Sequence, residues 1–262
     1  MIPSKSDRAS SIPVQLRPVN RLVAGVPLYI QIAEGLLNWV DSGRLAPGDR
    51  LPAERDLSQT LGVNRMTLRR ALELLAAQGL LERRQGAGTY IADRKIERQA
   101  GQLVSFTKRM REQGFTPGAR VVSFEERPCG AALAAALRLP TSAPVYDIRR
   151  LRFLNGQPVL LEHYTLPIMR FSRLAQYDLE HNSLYEVLHT HYGVDVHRAR
   201  LSLEAVLATA YESEQLLVPL SAPLMLERRL SYDALGAPVE HGEDHYRGDR
   251  FQFVTETAAL AL

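Results

Sequence analysis

The chain has 262 residues, of which 45% are hydrophobic and 23% are charged, and its formal net charge is +3. This length allows two compact domains, and the composition is that of an ordinary globular protein rather than a disordered or fibrous one. The single cysteine, Cys129, excludes an intrachain disulfide and a cysteine-based metal cage. No apolar run has the length of a signal peptide or a membrane span, so we expect a cytoplasmic protein with no membrane partner.

The chain begins with a polar, proline-punctuated stretch, and we expect residues 1–21 to be a disordered leader. Apolar residues at helical spacing then predict a first helix over Leu28–Val40. Gly43 and Pro47-Gly48 end this helix and form a loop. We expect the N-terminal domain to span residues 22–92.

Two short amphipathic helices separated by Gly62-Val63-Asn64 are predicted next. Gly62 suits the left-handed position that ends a helix, and the Asn64 side chain can accept a hydrogen bond from the first free amides of the following helix. The apolar positions of that second helix recur at core-facing spacing, at Leu68, Ala71, Leu72, Leu75 and Ala76. This order of elements is the helix-turn-helix signature.

The second helix also has a polar and basic face in its first turns, formed by Arg65, Thr67, Arg69 and Arg70. This is the part of a recognition helix that reaches DNA bases. An arginine-rich hairpin follows, with strands predicted at Leu80–Arg84 and Thr89–Ile91 and a glycine-containing tip at Gln85–Gly88. The domain is therefore predicted to be a winged helix-turn-helix that binds double-stranded DNA.

Charge is distributed unevenly along the chain. Residues 1–98 carry 15 Lys and Arg against 10 Asp and Glu, whereas residues 99–262 carry 17 against 19. An excess of positive charge confined to the helix-turn-helix end fits binding to phosphates. A basic helix pair is more often solvated structure than a DNA reader, but the order of capped helices and basic hairpin favours DNA binding.

Several short motifs carry a resemblance over residues 27–93. They are Pro27-Leu28-Tyr29, Gln31-Ile32, Pro47-Gly48-Asp49, Leu51-Pro52, Glu54-Arg55, Asn64-Arg65-Met66-Thr67, Arg69, Gly86 and Gly88-Thr89. With these residues, the domain resembles the DNA-binding domain of the GntR family of bacterial transcription regulators. The resemblance implies DNA-contacting positions at Arg55, Asn64, Arg65, Thr67, Arg69 and Gly88.

A charged stretch with little apolar content, residues 93–104, is predicted to be an interdomain linker. A second domain is expected over residues 105–256, starting with a short helix at Phe106–Gln113. Strands are predicted at Arg120–Glu126, Val145–Phe153, Val159–Leu166, Leu201–Leu207, Leu224–Tyr232 and Val239–Tyr246. Helices are predicted between them at Gly130–Leu137, Ser183–His191 and Thr209–Leu217. The result is an α+β domain built on an antiparallel sheet.

This second half resembles the UTRA domain, the ligand-sensing domain of the HutC subfamily of GntR regulators, whose fold is similar to that of chorismate lyase. The motifs that carry the resemblance are Ser105-Phe106-Thr107, Pro144-Val145-Tyr146, Arg149-Arg150-Leu151-Arg152, Pro158-Val159, Glu162, Ser183-Leu184-Tyr185, Tyr192-Gly193-Val194, Val239-Glu240 and Tyr246-Arg247-Gly248-Asp249-Arg250-Phe251. The resemblance implies effector-contacting positions at or near Ser105, Phe106, Thr107, Arg150, Arg152, Glu162, Ser183, Glu240 and Tyr246.

Strand alternation places Arg150 and Arg152 on one sheet face. The face of Glu162 depends on the hairpin at Asn155-Gly156. A three-residue loop would pair Glu162 with Ile148 on the arginine face, whereas a two-residue turn would pair it with Arg149 on the other face. We choose the three-residue loop because it gathers the polar residues together.

Two arginines with Glu162 and Glu240 form a polar cluster suited to a small anion that also carries hydroxyl or amine groups. From alternation alone, mutual surface salt bridges explain the same residues equally well. Two histidine pairs, His189/His191 and His241/His245, lack the further ligands of a metal site. We therefore expect no metal, no cofactor and no catalytic residues.

The leading interpretation is a transcription regulator, most simply a repressor of a metabolic operon that a small anionic metabolite releases from DNA. We expect a homodimer on a pseudo-palindromic operator, since a two-fold protein matches a two-fold site. The alternatives are an activator, a nucleoid-type binder without an effector, and a lyase-like enzyme tethered to DNA, because a fold alone does not exclude activity.

Overall fold

The computed structural model describes residues 25–256, apart from Gln85 and residues 102–103. The chain divides into two units, Met1–Arg94 and Lys95–Leu262. The predicted leader, residues 1–21, and Gln85 of the predicted wing tip lie outside the described residues. Each unit is taken by itself below.

In its described residues, 25–94 without Gln85, the first unit contains three helices and a two-stranded antiparallel hairpin. The elements are α1 (Leu28–Asp41), α2 (Glu54–Leu61), α3 (Arg65–Ala77), β1 (Leu81–Arg84) and β2 (Gly88–Ile91). Gly62 ends α2 in the left-handed conformation, with a φ of 65°. Asn64 begins α3, and its Oδ1 accepts from the Met66 amide at 2.7 Å. The winged helix-turn-helix prediction is confirmed, including both local signals.

One hydrophobic core holds the first unit together. The apolar face of α3 is completely buried between α1, α2 and the hairpin, because its apolar residues recur on one side of the helix. The core consists of Ile32, Ala33, Leu36, Leu45, Leu51, Leu57, Leu61, Leu68, Ala71, Leu72, Leu75, Leu81 and Ile91. This packing fixes α3 so that its other face points to solvent.

The second unit is built on a six-stranded antiparallel sheet in the order β4-β5-β6-β9-β8-β7. Its strands are β4 (Pro117–Pro128), β5 (Pro144–Leu154), β6 (Gln157–Pro167), β7 (Arg198–Leu207), β8 (Pro223–Tyr232) and β9 (Pro238–Arg247). Its helices are α4 (Phe106–Glu112), α5 (Ala131–Leu137), α6 (Leu184–Tyr192) and α7 (Ala210–Leu216), and Leu174–Gln176 form a short 3-10 helix. In the described part of the chain, no helix is long and apolar enough to cross a membrane.

A short parallel pair of strands lies outside this main sheet. Strand β3 (Ile96–Gln99) pairs with β10 (Phe251–Val254), so that Ile96 lies opposite Phe251. The sequence predicted a linker over residues 93–104. Ile96–Gln99 instead form a strand of the second unit. The sequence IERQ has little apolar character, and its strand conformation depends on a partner more than 150 residues away in the chain.

The turn between β5 and β6 corrects the predicted register. Leu154 pairs with Gln157, so the turn has two residues, and Asn155 and Gly156 both have positive φ. A register shift follows between Arg152 and Phe153, where β6 contains one extra residue. Glu162 therefore lies opposite Arg150, and neither predicted partner, Ile148 nor Arg149, is correct. The predicted sheet face of Glu162 is nevertheless right. The two-residue turn alone would place Glu162 on the opposite face, and the extra residue in β6 returns it to the face of Arg150 and Arg152.

Candidate nucleic-acid interface and ligand site

The solvent face of α3 presents the basic side chains that the sequence assigns to DNA. Arg65, Arg69 and Arg70 are exposed and Thr67 is half-buried. Between them lies Met66, an apolar side chain with 70% of its surface exposed. A shallow groove of 570 Å³ runs along this face, lined by Tyr29, Met66, Thr67, Arg69, Arg70 and Glu73.

Local contacts hold some of these side chains in place. Arg69 Nε lies 3.2 Å from Glu73 Oε1 one turn further along α3. The guanidinium of Arg70 lies over the Tyr29 ring, 4.3 Å from its centroid. These weak exposed contacts leave the guanidinium groups able to donate to phosphates or base edges.

The remaining predicted DNA contacts lie around α3. Arg55 is 73% exposed at the start of α2, beside Asp56. Gly88 begins the second wing strand with a φ of 113°, and a Cβ there would lie 2.9 Å from Arg50 Nε. Only glycine suits that conformation and that close approach. The Asn64 side-chain oxygen is already used as the helix cap, so a DNA contact there falls to its amide group.

On one face of the main sheet, ionisable side chains form a row across four neighbouring strands. Arg150 on β5 lies opposite Glu162 on β6, Glu162 lies opposite Asp244 on β9, and Asp244 lies opposite Glu227 on β8. All four side chains are buried. Because opposite residues of antiparallel strands are about 5 Å apart, the sheet itself places these charges in contact range.

Glu162 is the centre of a first buried network. Its carboxylate accepts from Arg150 Nη2 at 2.8 Å and from Arg152 Nη1 at 3.3 Å. Arg150 also donates to the carbonyl oxygen of Leu179, and Arg152 Nη2 donates to Thr107 Oγ1 at 2.8 Å. The two arginines are therefore saturated by the protein itself, so an anion that binds them must compete with Glu162.

The first turns of two helices adjoin this network. Ser105 Oγ, just before α4, donates to Ser183 Oγ, just before α6, at 3.1 Å. Arg152 lies over the ring of Phe106, 4.6 Å from its centroid. The structure thus brings together most of the predicted effector residues, which are Ser105, Phe106, Thr107, Arg150, Arg152, Glu162 and Ser183.

Arg229 on β8 is the centre of a second buried network. It donates to Glu227 Oε1 at 2.6 Å, Glu240 Oε1 at 3.0 Å and Asp244 Oδ2 at 2.9 Å. Glu227 also accepts a forked pair of hydrogen bonds from Arg98 on β3, at 3.0 and 3.1 Å. This network connects the short strand β3 to the charged row on the sheet.

Three polar atoms of the second network are buried without a hydrogen-bond partner. They are Arg229 Nη2, Glu240 Oε2 and Asp244 Oδ1. Buried polar atoms almost always have partners, so each of these three atoms either is strained or takes a partner from an ordered water, an ion or a ligand. Gly242 lies beneath them, and a Cβ there would be 2.5 Å from Arg229 Nη2. The absence of a side chain at Gly242 makes room for this arrangement.

Two acids of the charged row, Glu162 and Asp244, have pKa values that are shifted in opposite directions. Burial alone would raise the pKa of Glu162, but Arg152 and Arg150 outweigh burial and lower this pKa to about 2. Burial raises the pKa of Asp244 to about 7, and the neighbouring carboxylates of Glu162 and Glu227 add to the rise against the opposing effect of Arg229. Asp244 is thus the acid of the row that takes up a proton near neutral pH.

A cavity of 420 Å³ opens beside the second network. Arg229, Glu227 and Arg98 bring charged side chains of the second network to its wall. Tyr185 contributes its phenol ring, whose hydroxyl donates to Glu240 at 3.0 Å. The remaining lining residues are Ala100, Gly101, Val104, His197, Arg198, Ala199 and Leu201. Its volume is in the range of small-molecule sites.

Placement of the predicted effector residues is therefore mixed. Glu240 belongs to the second network rather than the first, and Tyr246 packs edge-on against Phe251 and Phe253 in an aromatic cluster. None of the nine predicted residues lines the cavity directly. The alternative interpretation took these arginines and glutamates as mutual salt bridges on the surface. The ion pairs are present, but they are almost fully buried.

Sequence reasoning did not assign Arg98, Tyr185, Glu227, Arg229 or Asp244, which belong to the second network or to the cavity wall, to the site. For Glu227 and Arg229 a signal existed, because they alternate on a predicted strand as Glu240 and Asp244 do. For Arg98 there was none, since its strand was not predicted. Among the described residues, no group of three or more His, Cys, Asp or Glu side chains is arranged to hold a metal ion.

Comparison with known proteins identifies both units. Residues 28–91 match the model of bacterial regulatory proteins of the gntR family, and residues 112–252 match the UTRA domain. The repressor NagR of Bacillus subtilis is 34% identical over 229 residues, which cover 87% of this chain and 94% of NagR. The repressor MngR of Escherichia coli is 28% identical, with the same two coverages.

Among solved structures, PhnF from Mycobacterium smegmatis is similar with a TM-score of 0.63 and 31% identity, over 87% of this chain and all of that one. Members of this family are DNA-binding transcription regulators rather than enzymes, and the UTRA domain is their effector-binding part. This chain belongs to the GntR family of bacterial regulatory proteins, as a member with a UTRA domain.

Proposed function

We propose that this chain is a homodimeric repressor, acting in the cytoplasm on a pseudo-palindromic operator of a metabolic operon. A small anionic metabolite releases it from DNA. The observation that carries the proposal is the buried row of charges beside the cavity, with three polar atoms left unpaired. Buried polar atoms are costly when they are unpaired, so three such atoms next to a cavity favour a site that a polar ligand completes.

The DNA surface in this proposal is the exposed face of α3 with its flanking loops. Arg65, Thr67, Arg69 and Arg70 contact bases and phosphates, since they occupy the first half of the recognition helix. Arg55, the Asn64 amide and the Gly88 backbone contact phosphates from either side. Met66, exposed between the arginines, is placed to contact the methyl group of a thymine.

The effector site in this proposal joins the two networks. The anion binds Arg150 and Arg152, and it accepts further hydrogen bonds at the helix starts from Ser105, Thr107 and Ser183. Glu162 then loses part of its hydrogen bonding to the two arginines. Phe106, Glu240 and Tyr246 border the site, and the unpaired atoms of Arg229, Glu240 and Asp244 receive hydroxyl or amine groups. A sugar phosphate or a sugar acid combines these features.

A route to the DNA-binding unit runs through Arg98. Its guanidinium binds Glu227, and β3 begins two residues after Arg94, where the first unit ends. A ligand that draws Glu227 or Arg229 toward itself weakens the anchor of β3, which changes how the start of the second unit is held. Differential binding of this kind is what an effector needs to shift an equilibrium.

The test begins with thermal-shift screening of the full chain against hexose phosphates, amino-sugar phosphates, mannosyl-D-glycerate and small carboxylic acids. A ligand specific to the folded state raises the unfolding temperature. The operator is selected from a random DNA library. The ligand is then titrated calorimetrically into free protein and into operator-bound protein.

In these titrations, ligand affinity is expected to fall on DNA by the same factor by which the ligand weakens operator binding. That coupling is typically about 1–3 kcal/mol. Equal ligand affinity in the two titrations would refute release by the effector. If expression of a reporter gene under this operator falls when the gene for this chain is deleted, the protein is an activator rather than a repressor.

A further inference from the structure

Residues 48–51, in the loop between α1 and α2, lie along the outer side of β2, the second strand of the wing hairpin. The Leu51 amide donates to the carbonyl oxygen of Thr89 at 2.8 Å. Arg50 forms an isolated antiparallel bridge with Tyr90. The loop therefore adds a third chain to the two-stranded wing, and Arg50 belongs to the surface of the wing.

The register of this bridge places the Arg50 side chain beside Gly88. Gly88 is two residues from Tyr90, so Arg50 and Gly88 are diagonal neighbours on one face of the wing. A Cβ at Gly88 would lie 2.9 Å from Arg50 Nε, 3.3 Å from its Nη2 and 3.5 Å from its Cζ. The guanidinium group thus lies against the backbone of Gly88, and the glycine leaves room for it.

The guanidinium group of Arg50 keeps its hydrogen-bonding capacity. Arg50 is exposed, and within the described residues its side chain has neither a hydrogen bond nor an ion pair. Arg69 and Arg70 of α3, by contrast, lie against Glu73 and Tyr29. Because arginine carries five N–H donors in a rigid fork that suits a phosphate, Arg50 is available to bind one.

The surface around Arg50 is basic and open. Strand β1 (LERR) carries two arginines and one acid, and of these arginines Arg83 is exposed. Gly86 and Gly88 at the wing tip are exposed as well, so no side chain there stands between the backbone and a ligand. Arginine side chains and backbone amides are the groups with which proteins contact the phosphates of DNA. The wing therefore offers both kinds of donor.

We propose that Arg50 binds a phosphate of the DNA backbone, together with the wing tip at residues 86–88. Its guanidinium group donates to the phosphate oxygens, and the backbone of Gly88 holds that group in place. This contact adds a residue to the DNA surface of the proposed function and rests on that function. It is independent of the base sequence, because the phosphates are the same at every base pair.

Arg50→Gln tests this contact in the full chain, and the exposed position should leave the fold intact. Fluorescence anisotropy measures binding to a duplex selected from a random library and to a scrambled duplex of the same composition, at about 50 to 200 mM salt. The loss of one phosphate contact is expected to weaken binding to both duplexes about tenfold at about 0.1 M salt, and to reduce the slope of log K against log salt by about 0.9. Arg50→Lys keeps the positive charge and is expected to bind within about threefold of wild type.

Arg44→Gln is the matched control, since Arg44 is an exposed arginine in the same loop, and it should leave both affinities unchanged. Circular dichroism checks that each variant is folded. Wild-type affinity and salt slope in Arg50→Gln would overturn the contact and leave DNA binding through α3 standing. A loss confined to the selected duplex, or an equal loss in Arg50→Lys, would overturn the phosphate contact in favour of base reading or of a structural role. A wild-type chain that binds neither duplex would overturn the proposed function as well.

Discussion

Arg150 and Glu162 lie directly opposite each other on adjacent strands, 2.8 Å apart between Nη2 and Oε2, with both side chains almost fully buried. Arg152 shares the same carboxylate from two residues away on β5. One acid therefore compensates two buried cations. The removal of that one charge leaves an imbalance that solvent cannot screen.

Glu162→Gln is therefore expected to destabilise the second unit by about 3–5 kcal/mol, because it leaves buried charges uncompensated. Urea unfolding followed by circular dichroism measures the loss. Glu204→Gln is the control, since its ion pair with Arg228 is exposed and worth less than about 1 kcal/mol. Similar losses in the two variants would contradict a structural role for the Glu162 network.

Arg65→Ala and Arg69→Ala are each expected to weaken operator binding by about 1–3 kcal/mol while leaving the fold intact, since both side chains are exposed on α3. Gel-shift affinities for operator and scrambled DNA measure the effect. Arg44→Ala serves as the control, since Arg44 is an exposed arginine in the loop after α1. Unchanged affinity in both α3 variants would mean that another surface reads the DNA.

Asp244 makes stability depend on pH near neutrality. Its pKa is raised to about 7 by burial, above its usual value of 3.8, so the folded state binds a proton that the unfolded state releases. Stability is therefore expected to fall as pH rises from about 4 to about 7, by at most about 1.4 kcal/mol per pH unit from this group. Above pH 7 the contribution is constant.

Asp244→Asn removes that titration, so the stability difference between variant and wild type should grow in favour of the variant between pH 5 and pH 7. Denaturant unfolding at several pH values measures it. His241 and His245, whose pKa values burial lowers, titrate in both proteins and cancel in the comparison. A difference that does not vary with pH would show that Asp244 is ionised throughout.

Gly242→Ala is expected to destabilise the protein by about 1–3 kcal/mol, because its Cβ would lie 2.5 Å from Arg229 Nη2 and 2.9 Å from Glu240 Oε2. Gly118→Ala is the matched control on another strand, where the nearest atom would be Phe153 Cβ at an ordinary 3.6 Å. Thermal unfolding of both variants measures the cost. Equal melting temperatures would mean that Arg229 and Glu240 can move away from the added Cβ without a loss of stability.

Local signals explain which parts of the fold were predictable. Gly62 and Asn64 act on the backbone within two residues of themselves, so the helix-turn-helix could be predicted together with its caps. Strand alternation likewise placed Arg150 and Arg152 on one face. These features depend on short-range geometry, which a sequence displays directly.

Features that depend on distant partners were not predictable in the same way. The extra residue in β6 reverses the effect that the turn at Asn155-Gly156 has on the face of Glu162, and no residue type in the sequence indicates this extra residue. The burial of the Glu162 network and the contact between Arg98 and Glu227 both arise from elements far apart in the chain. Alternation could name the charged face but could not show that it was closed to solvent.

The parallel pair of β3 and β10 makes the last strand of the second unit a neighbour of its first. A premature stop codon just before Phe251 would leave the helix-turn-helix unit and all six strands of the main sheet encoded. It would still remove the only strand that holds Ile96–Gln99 within the described residues. A late nonsense mutation in this gene is therefore expected to release β3 and to remove Phe251 from the core cluster that it forms with Phe106 and Tyr246, a structural loss out of proportion to the few residues missing.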